Sequence, residues 1–441
     1  MISEEADPGE VFVWTWLPGS VEPVVAGRLT RDADRITFNY GTSYLERKDR
    51  VPLYLPELPL RRGRIEPIGA LTMPGVIEDA APDAWGQRVV MRHLLGRARA
   101  DDDPATLDTL TYLVESGSDR IGALDFQGSS DVYVPRTDAA GLEDLMTAAE
   151  SVDQGTRLPP TLDIALLHGS SVGGARPKSL LSDGQRRLIA KFSAATDAYP
   201  VVRGEFVAME LARRAGLDVA SVELRTVLGR DVLLVERFDR KLKSNGVERR
   251  SVVSALTILE LDAEREGRYA TYHAFAQQIR ARFSEAKRNL RELFARITFN
   301  VLVGNNDDHA KNHAAFWDGR GSALSLTPAY DICPQPRSGL QAGQAMAFAE
   351  GARESRLELC VEAAANYLIA ESDAREIIDH QVDTIAVHWD EVATAGRLTG
   401  SEQDYFRRRQ FLSPFAFQGY SSPSPWGGPE PRPRGRFCVS S

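Results

Sequence analysis

The 441-residue sequence is poor in lysine, poor in cysteine and free of long apolar runs. Only seven lysines stand among its 53 basic residues, so nearly all the positive charge is arginine. Where lysine is kept in such a chain, a compact ammonium rather than a guanidinium fork is the useful group. The three cysteines, Cys333, Cys360 and Cys438, are odd in number, far apart and without a C-x-x-C pair. That pattern excludes a disulfide framework or zinc ribbon and fits a reducing compartment. Basic charge is not in excess: 62 acidic residues bring the net charge to −9. An autonomous nucleic-acid binder carries the opposite balance. No apolar run reaches the length of a membrane span. The opening MISEEADPGE is too acidic for a signal peptide, so a cytoplasmic location is expected.

What is present is ordinary globular composition, 43% hydrophobic and 26% charged, at a length that predicts about three domains. Residues 11–60 read as short strands (VFVWTWL, PVVAGRLT, RITFNY) with a proline-punctuated edge after them. Helices are predicted at Asp83–Leu95, Pro104–Val114 and in the acidic stretch 137–154. RIGALDFQ returns as a strand to the first module. The segment SSVGGARPKSLLSDGQRRLIAKFS reads as Gly-rich turn, strand, D-G hairpin, strand. An amphipathic helix over 201–215 and a further strand pair follow. Beyond about 250 the pattern turns helical, at 252–262, 269–283, 286–304, 354–371 and 374–393. The Pro, Gly and Ser-rich end reads as mostly disordered. Sheet first and helices second is an α+β order. The expected units are 1–125, 126–240, 241–412 and a disordered tail over 413–441.

The strongest chemical signal is Gly304-Asn305-Asn306-Asp307-Asp308-His309-Ala310-Lys311-Asn312, directly after the apolar helix ARITFNVLV. Asp307 and Asn312 have the D-x-x-x-x-N spacing of a kinase catalytic loop. A carboxylate there orients the attacking hydroxyl, and an amide oxygen one short loop later holds Mg²⁺. Nineteen residues past Asn312, Asp331 offers a second carboxylate for the metal. Asp308 doubles the acid, so spacing does not decide which one is the base. Upstream, Ser170-Ser171-Val172-Gly173-Gly174 leads to Lys178, and paired glycines let backbone N–H groups approach phosphates. Taken alone this is an ordinary glycine hairpin, and it does not match a Walker A loop. Lys191 sits inside the apolar strand LIAKF, where kinases keep the lysine for the α- and β-phosphates. Glu205 on the next helix is its candidate partner. Glu236 and Phe238, at a strand end before the helical part, stand where an inter-lobe hinge belongs, with backbone groups that would read adenine. Three of the seven lysines, Lys178, Lys191 and Lys311, fall within these segments.

The order of these parts is that of a protein kinase, and the chain resembles the HipA family of serine/threonine kinases, toxins of bacterial toxin–antitoxin pairs. SSVGGARPKSLL, LIAKFS, VERFDR, GNNDDHAKNHAAF and LTPAYDICP carry the resemblance. RITFNYGTSYL, EDAAPDAWGQRVV and DRIGALDF support it in the first module. It implies a two-lobed kinase-like fold, with a β-rich N-terminal lobe, an extra small subdomain and a mainly helical C-terminal lobe. It implies ATP and Mg²⁺, with Asp307 catalytic, Asn312 and Asp331 on the metal, and Lys191 on the phosphates. The loop residues 170–174, Lys178 and Lys311 would lie around the nucleotide, with His309 beside the base. It places autophosphorylation, which ejects the loop, on Ser171, with Ser170 adjacent. It implies a protein target, an aminoacyl-tRNA synthetase in known members, and a separate helix-turn-helix antitoxin through which any DNA contact would run. Two other readings stand beside it. One is a non-catalytic pseudokinase that binds such a repressor. The other is a metal-dependent hydrolase using Asp307, His309 and His313, the two histidines being four apart.

Overall fold

The computed structural model describes residues 9–426 apart from 97–102, 138, 139, 155, 157, 170, 195, 196, 264–266, 322, 338, 340, 349, 350 and 423. The first module is an antiparallel sheet of β1 (Glu10–Trp16), β2 (Pro23–Asp32), β3 (Arg35–Tyr40), β4 (Arg64–Ile65) and β5 (Leu124–Gln127), in the order β4-β3-β2-β1-β5. Its inward residues, among them Val11, Val13, Leu29 and Phe38, are fully buried. Because β5 closes this sheet, the expected boundary at 125 falls inside a strand. A Cβ at Gly27 would run into the carbonyl of Asn39 on the neighbouring strand, so only glycine permits this approach.

A second antiparallel sheet holds β6 (Lys178–Asp183), β7 (Arg186–Phe192), β8 (Val222–Val227) and β9 (Arg230–Glu236), in the order β6-β7-β9-β8. The expected hairpin forms, with Asp183 pairing Arg186 across Gly184 at φ +58°. Helix Val201–Arg214 packs on β8 and β9. On the sheet's other side, Trp85, Val89 and Val90 of helix Ala84–Leu95 share a core with Leu188, Ala190, Phe192, Val232 and Leu234. Helices Leu142–Asp153 and Pro160–Gly169 complete that layer.

A buried ionic network fastens the first sheet to the end of β9. Arg237 donates to Asp239 and to the carbonyls of Asp119 and Arg120. Arg240 donates to Asp119, Asp239 and the carbonyl of Gly122. The N–H of Gly122 returns a bond to Asp239 at 2.7 Å. Arg120, wholly buried, pairs Asp125 on β5. Each buried charge thus has an opposite partner, without which the desolvation cost would be several kcal/mol per ion. The motifs DRIGALDF and VERFDR meet here.

The C-terminal part is mainly helical: Tyr272–Arg282, Ala286–Val303, Glu371–Ala395 and Gly400–Arg409. Hairpin strands β10 (Arg240–Lys243) and β11 (Gly246–Arg249) lead into it. A small sheet of β12 (Ser251–Ser254), β13 (Ala314–Trp317) and β14 (Leu324–Leu326) sits among the helices. Here the sequence reading needs correction. Residues 252–262 are not a helix, because β-branched Val252 and Val253 pair with β13 and Ser254 then caps the single turn Ala255–Ile258. The stretch 354–371 breaks into Leu357–Glu362 and the 3-10 turn Ala364–Tyr367, ended by Leu368 in the left-handed region. Residues 104–114 likewise split, with Asp103 and Asp108 capping separate turns. The expected disorder from 413 onward is also wrong for the described part of the tail. Phe415, Phe417 and Tyr420 are buried, and the Trp426 ring lies 5.2 Å from that of buried Trp389. The remaining tail lies outside the described residues.

Truncation after Leu412 removes three buried aromatic side chains, each contributing about 1.5–3 kcal/mol on burial. Stability should fall by at least about 4 kcal/mol, seen as a lower urea midpoint.

Candidate active site

The cross-strand register of β6 and β7 sets Lys178 directly opposite Lys191, and opposite residues share one face of a sheet. Two ammonium groups therefore compete for the same space. Lys191 takes the anions: its Nζ lies 2.5 Å from Glu205 Oε1 and 2.5 Å from Asp331 Oδ1. Burial opposes its charge, but Asp331 and Glu205 outweigh that and hold it well above the ordinary lysine value. Among the described residues, Lys178 has only the carbonyl of Gly173, at 2.5 Å, as a bonded partner. Burial, reinforced by Lys191, pushes it down to about 8. Glu205, 4% exposed, is driven up by burial and pulled down by Lys191, with the upward effect winning.

Asp331 is delivered by a pinned segment. The N–H of Ala329 donates to the carbonyl of Asp218 at 2.7 Å, and the Tyr330 hydroxyl donates to the carbonyl of Lys311 at 2.6 Å. Asp331 then takes φ +59°, a conformation that aspartate tolerates better than most residues. Burial raises its carboxyl, but Lys191 and Lys178 bring it far below the ordinary carboxylate range.

The catalytic-loop candidate follows helix Ala286–Val303, closed by Gly304 at φ +71°. The two adjacent acids part ways. Asp307 is exposed at the surface of the site. Its carboxyl is raised by partial burial, lowered by His309 and raised again by Asp331. Asp308 points inward at 2% exposure, accepting from the Tyr272 hydroxyl at 2.7 Å and lying 3.0 Å from His313 Nε2. Burial raises it, but His313 and the Tyr272 bond bring it below the usual range. Of the two acids only Asp307 is exposed, so the structure separates what the spacing left open and places Asp308 in a buried, bonded position unsuited to a base. The same contacts remove the hydrolase reading, because His313 is buried against Asp308 and the rings of Tyr272 and Phe275. No cluster of three or more His, Cys, Asp or Glu side chains that could hold a metal ion forms among the described residues.

Asn312 Nδ2 donates to the carbonyl of Asp307 at 3.2 Å, which turns its amide oxygen away from that bond. Asn305 Nδ2 reaches the carbonyl of Asp331 at 3.3 Å and ties this loop to the second carboxylate. The donor atoms offered by Asp331 and Asn312 are hard oxygens, the set that Mg²⁺ takes.

Other expected residues are placed differently. Ser170 lies outside the described residues. Ser171 and Val172 are buried, and the Ser171 hydroxyl has no partner among the described residues. The N–H of Glu236 is already donated to the carbonyl of Ser221 at 2.8 Å, so it is not free to read adenine. Phe238 packs its ring against Tyr330 and Phe316. Lys311 is paired with Asp83 of the first module at 3.0 Å. Sequence reasoning missed Asp83, Tyr272 and the Arg237–Asp239 network, although Pro82-Asp83 before a helix was a visible cap signal. A groove of about 800 Å³ lies elsewhere, between Ala215–Asp218 and the helices Ala286–Val303 and Glu371–Ala395.

Residues 170–389 match the family model described as the HipA-like C-terminal domain, and residues 20–127 match the HipA N-terminal domain. The chain belongs to the HipA family. It is 26% identical over 400 residues to the Sinorhizobium fredii protein named "Putative kinase Y4mE", covering 82% of this chain and 89% of that one. It is 26% identical to the "Serine/threonine-protein kinase toxin HipA" of Shewanella oneidensis, over 51% of this chain and 56% of the relative. The solved complex of HipA, HipB and operator DNA from Shewanella oneidensis gives a TM-score of 0.64 at 19% identity, covering 89% of this chain and 94% of that chain. The two-lobed HipA fold expected from the motifs is thereby shown.

Asp308→Ala strands the Tyr272 hydroxyl and His313, and should cost about 2–4 kcal/mol in urea unfolding. Exposed Asp307→Ala should stay within about 0.5 kcal/mol. Because the folded Asp308 value lies below the unfolded one, its contribution is complete above about pH 4 and is lost as pH falls through the folded value. Asp308→Ala should lose that acid limb.

Proposed function

We propose that this chain is a HipA-type serine/threonine protein kinase. One observation carries the reading: Lys191 bridges Glu205 on the helix and Asp331 from the C-terminal lobe, at 2.5 Å each. Those three groups, brought from three separate segments, are what a kinase assembles to hold and orient ATP phosphates. Lys191 presents its charge to the α- and β-phosphates. Asp307, exposed beside His309, accepts the proton of the attacking Ser or Thr hydroxyl. The new bond forms from that oxygen to the γ-phosphorus, the bond to the bridging β,γ-oxygen breaks, and ADP leaves. Asp331 and Asn312 would hold Mg²⁺, which when bound neutralises charge on the phosphates. Positioning and charge neutralisation supply most of the rate.

The family relationship supports a toxin role with a separate HipB-like helix-turn-helix partner. An aminoacyl-tRNA synthetase is the first target class to assay. Ser171 is the proposed autophosphorylation site. Its burial at 2% exposure means that the loop must leave its seat first, and the added phosphate would then exclude ATP from the same place.

The test is incubation with labelled MgATP and phosphosite mapping. Label should appear on Ser171 or an added protein target, and Asp307→Asn and Asp331→Asn should each lower it at least 100-fold. Full labelling in both variants would remove the assignment, and nucleotide binding with no label under any substrate would favour the pseudokinase.

Lys178 adds a pH signature. Below about pH 8 it is charged and attracts phosphate; above that it becomes neutral while Lys191 stays charged. MgATP affinity should therefore fall as pH rises from 7.5 to 9.5, and Lys178→Arg should flatten the profile.

A further inference from the structure

Asp83 stands at the N-cap of helix Ala84–Leu95, yet its side chain caps nothing on that helix. An aspartate at this position ordinarily accepts from the N–H groups of the first turn. Here the carboxylate reaches across instead. Oδ2 accepts the N–H of Gly174 at 2.8 Å, and Oδ1 accepts Lys311 Nζ at 3.0 Å. One side chain of the first module thus holds the Gly-rich loop with one oxygen and the catalytic loop with the other.

Trp85 strengthens the same seat. Its N–H donates to the carbonyl of Gly174 at 3.2 Å, and its ring Nε1 donates to the carbonyl of Lys178 at 2.8 Å. Trp85 is fully buried in the core beneath the second sheet, so the seat is rigid. The paired glycines fit it: a Cβ at Gly173 would stand 2.7 Å from Asp83 Oδ2, and Gly174 takes φ +108° over the Lys178 ammonium. Lys311 has a second carboxylate, Glu78, at 3.8 Å, also from the first module.

We propose that Asp83 is a positioning residue that latches the Gly-rich loop in its closed seat and sets Lys311 relative to it. It touches neither nucleotide nor target; it acts through Gly174 and Lys311. The inference deepens the kinase reading above and rests on it for its consequence, a tighter grip on the nucleotide phosphates. Opening of the loop requires the bond from Gly174 to Asp83 to break, so whatever binds the first module near Asp83 acts on loop opening.

The experiment uses the full chain without nucleotide. Hydrogen exchange of the peptide spanning 171–178 is followed by mass spectrometry for wild type, Asp83→Ala and Asp83→Asn. Asp83→Ala should raise exchange at least tenfold, while Asp83→Asn, which keeps an oxygen acceptor for Gly174, should stay near wild type. Acylation of Lys311 by an amine reagent should rise severalfold in both variants, because both remove the nearer of its two carboxylates and leave only Glu78 at 3.8 Å. Unchanged loop exchange in a folded Asp83→Ala would overturn the latch. Should that variant fail to fold, Asp83→Ser, whose side chain is too short to reach the N–H of Gly174, should raise exchange about threefold; wild-type exchange there would equally overturn it. Titration with a non-hydrolysable MgATP analogue separates the two readings. Absence of binding in wild type would sink the kinase assignment, whatever the exchange shows. A wild-type affinity in an Asp83→Ala that exchanges faster would overturn the proposed grip on nucleotide.

Discussion

The Lys191 ammonium, buried between Glu205 and Asp331, is the contact on which the arrangement of the lobes around the site depends. A buried cation needs anions at bonding distance, and here they come from a helix of one lobe and a loop of the other. The requirement fixes the register of β7, the pitch at which helix Val201–Arg214 meets the sheet, and the left-handed turn at Asp331. It also decides the state of Lys178. With the carboxylates taken, the neighbouring lysine is left with a carbonyl and a weakened charge. Two residues of one type, facing each other across a ladder, so become chemically different.

The adjacent acids of the proposed catalytic loop make the same point at shorter range. Asp307 and Asp308 are indistinguishable by spacing, and a single peptide step sends them to opposite sides of the backbone. The inward one is consumed by Tyr272 and His313, and it stiffens the loop from below. The outward one keeps its oxygens for solvent or substrate. The second acid is thus a support for the first.

Much of this was legible in the sequence. Lysine scarcity drew the eye to Lys178, Lys191 and Lys311, and the order of motifs led to the two-lobed fold. Strands β1–β3, the hairpin at Asp183 and the long helices followed from alternation, turn chemistry and periodicity. What failed did so for physical reasons. Val252 and Val253 lie in a helix-like pattern but pair with β13, a partner some sixty residues away that no local window contains. The tail reads as disordered from its Pro, Gly and Ser content, yet Phe415, Phe417 and Tyr420 are buried and Trp426 packs on Trp389. Asp83 lies within the motif EDAAPDAWGQRVV, but its partners are 91 and 228 residues away. Glu236 carries a hinge signature whose N–H the sheet itself consumes.

The ionic lock between the first sheet and the end of β9 has a consequence for synthesis. Gly122 and Asp239 are 117 residues apart. At a ribosomal rate of about 5–20 residues per second, Asp239 is made on the order of ten seconds after Gly122. Through that interval Asp119 lacks the arginines that answer its charge. The first module is thus a unit in shape but not in completion, and it holds an open electrostatic question until Arg237 and Arg240 arrive to close it.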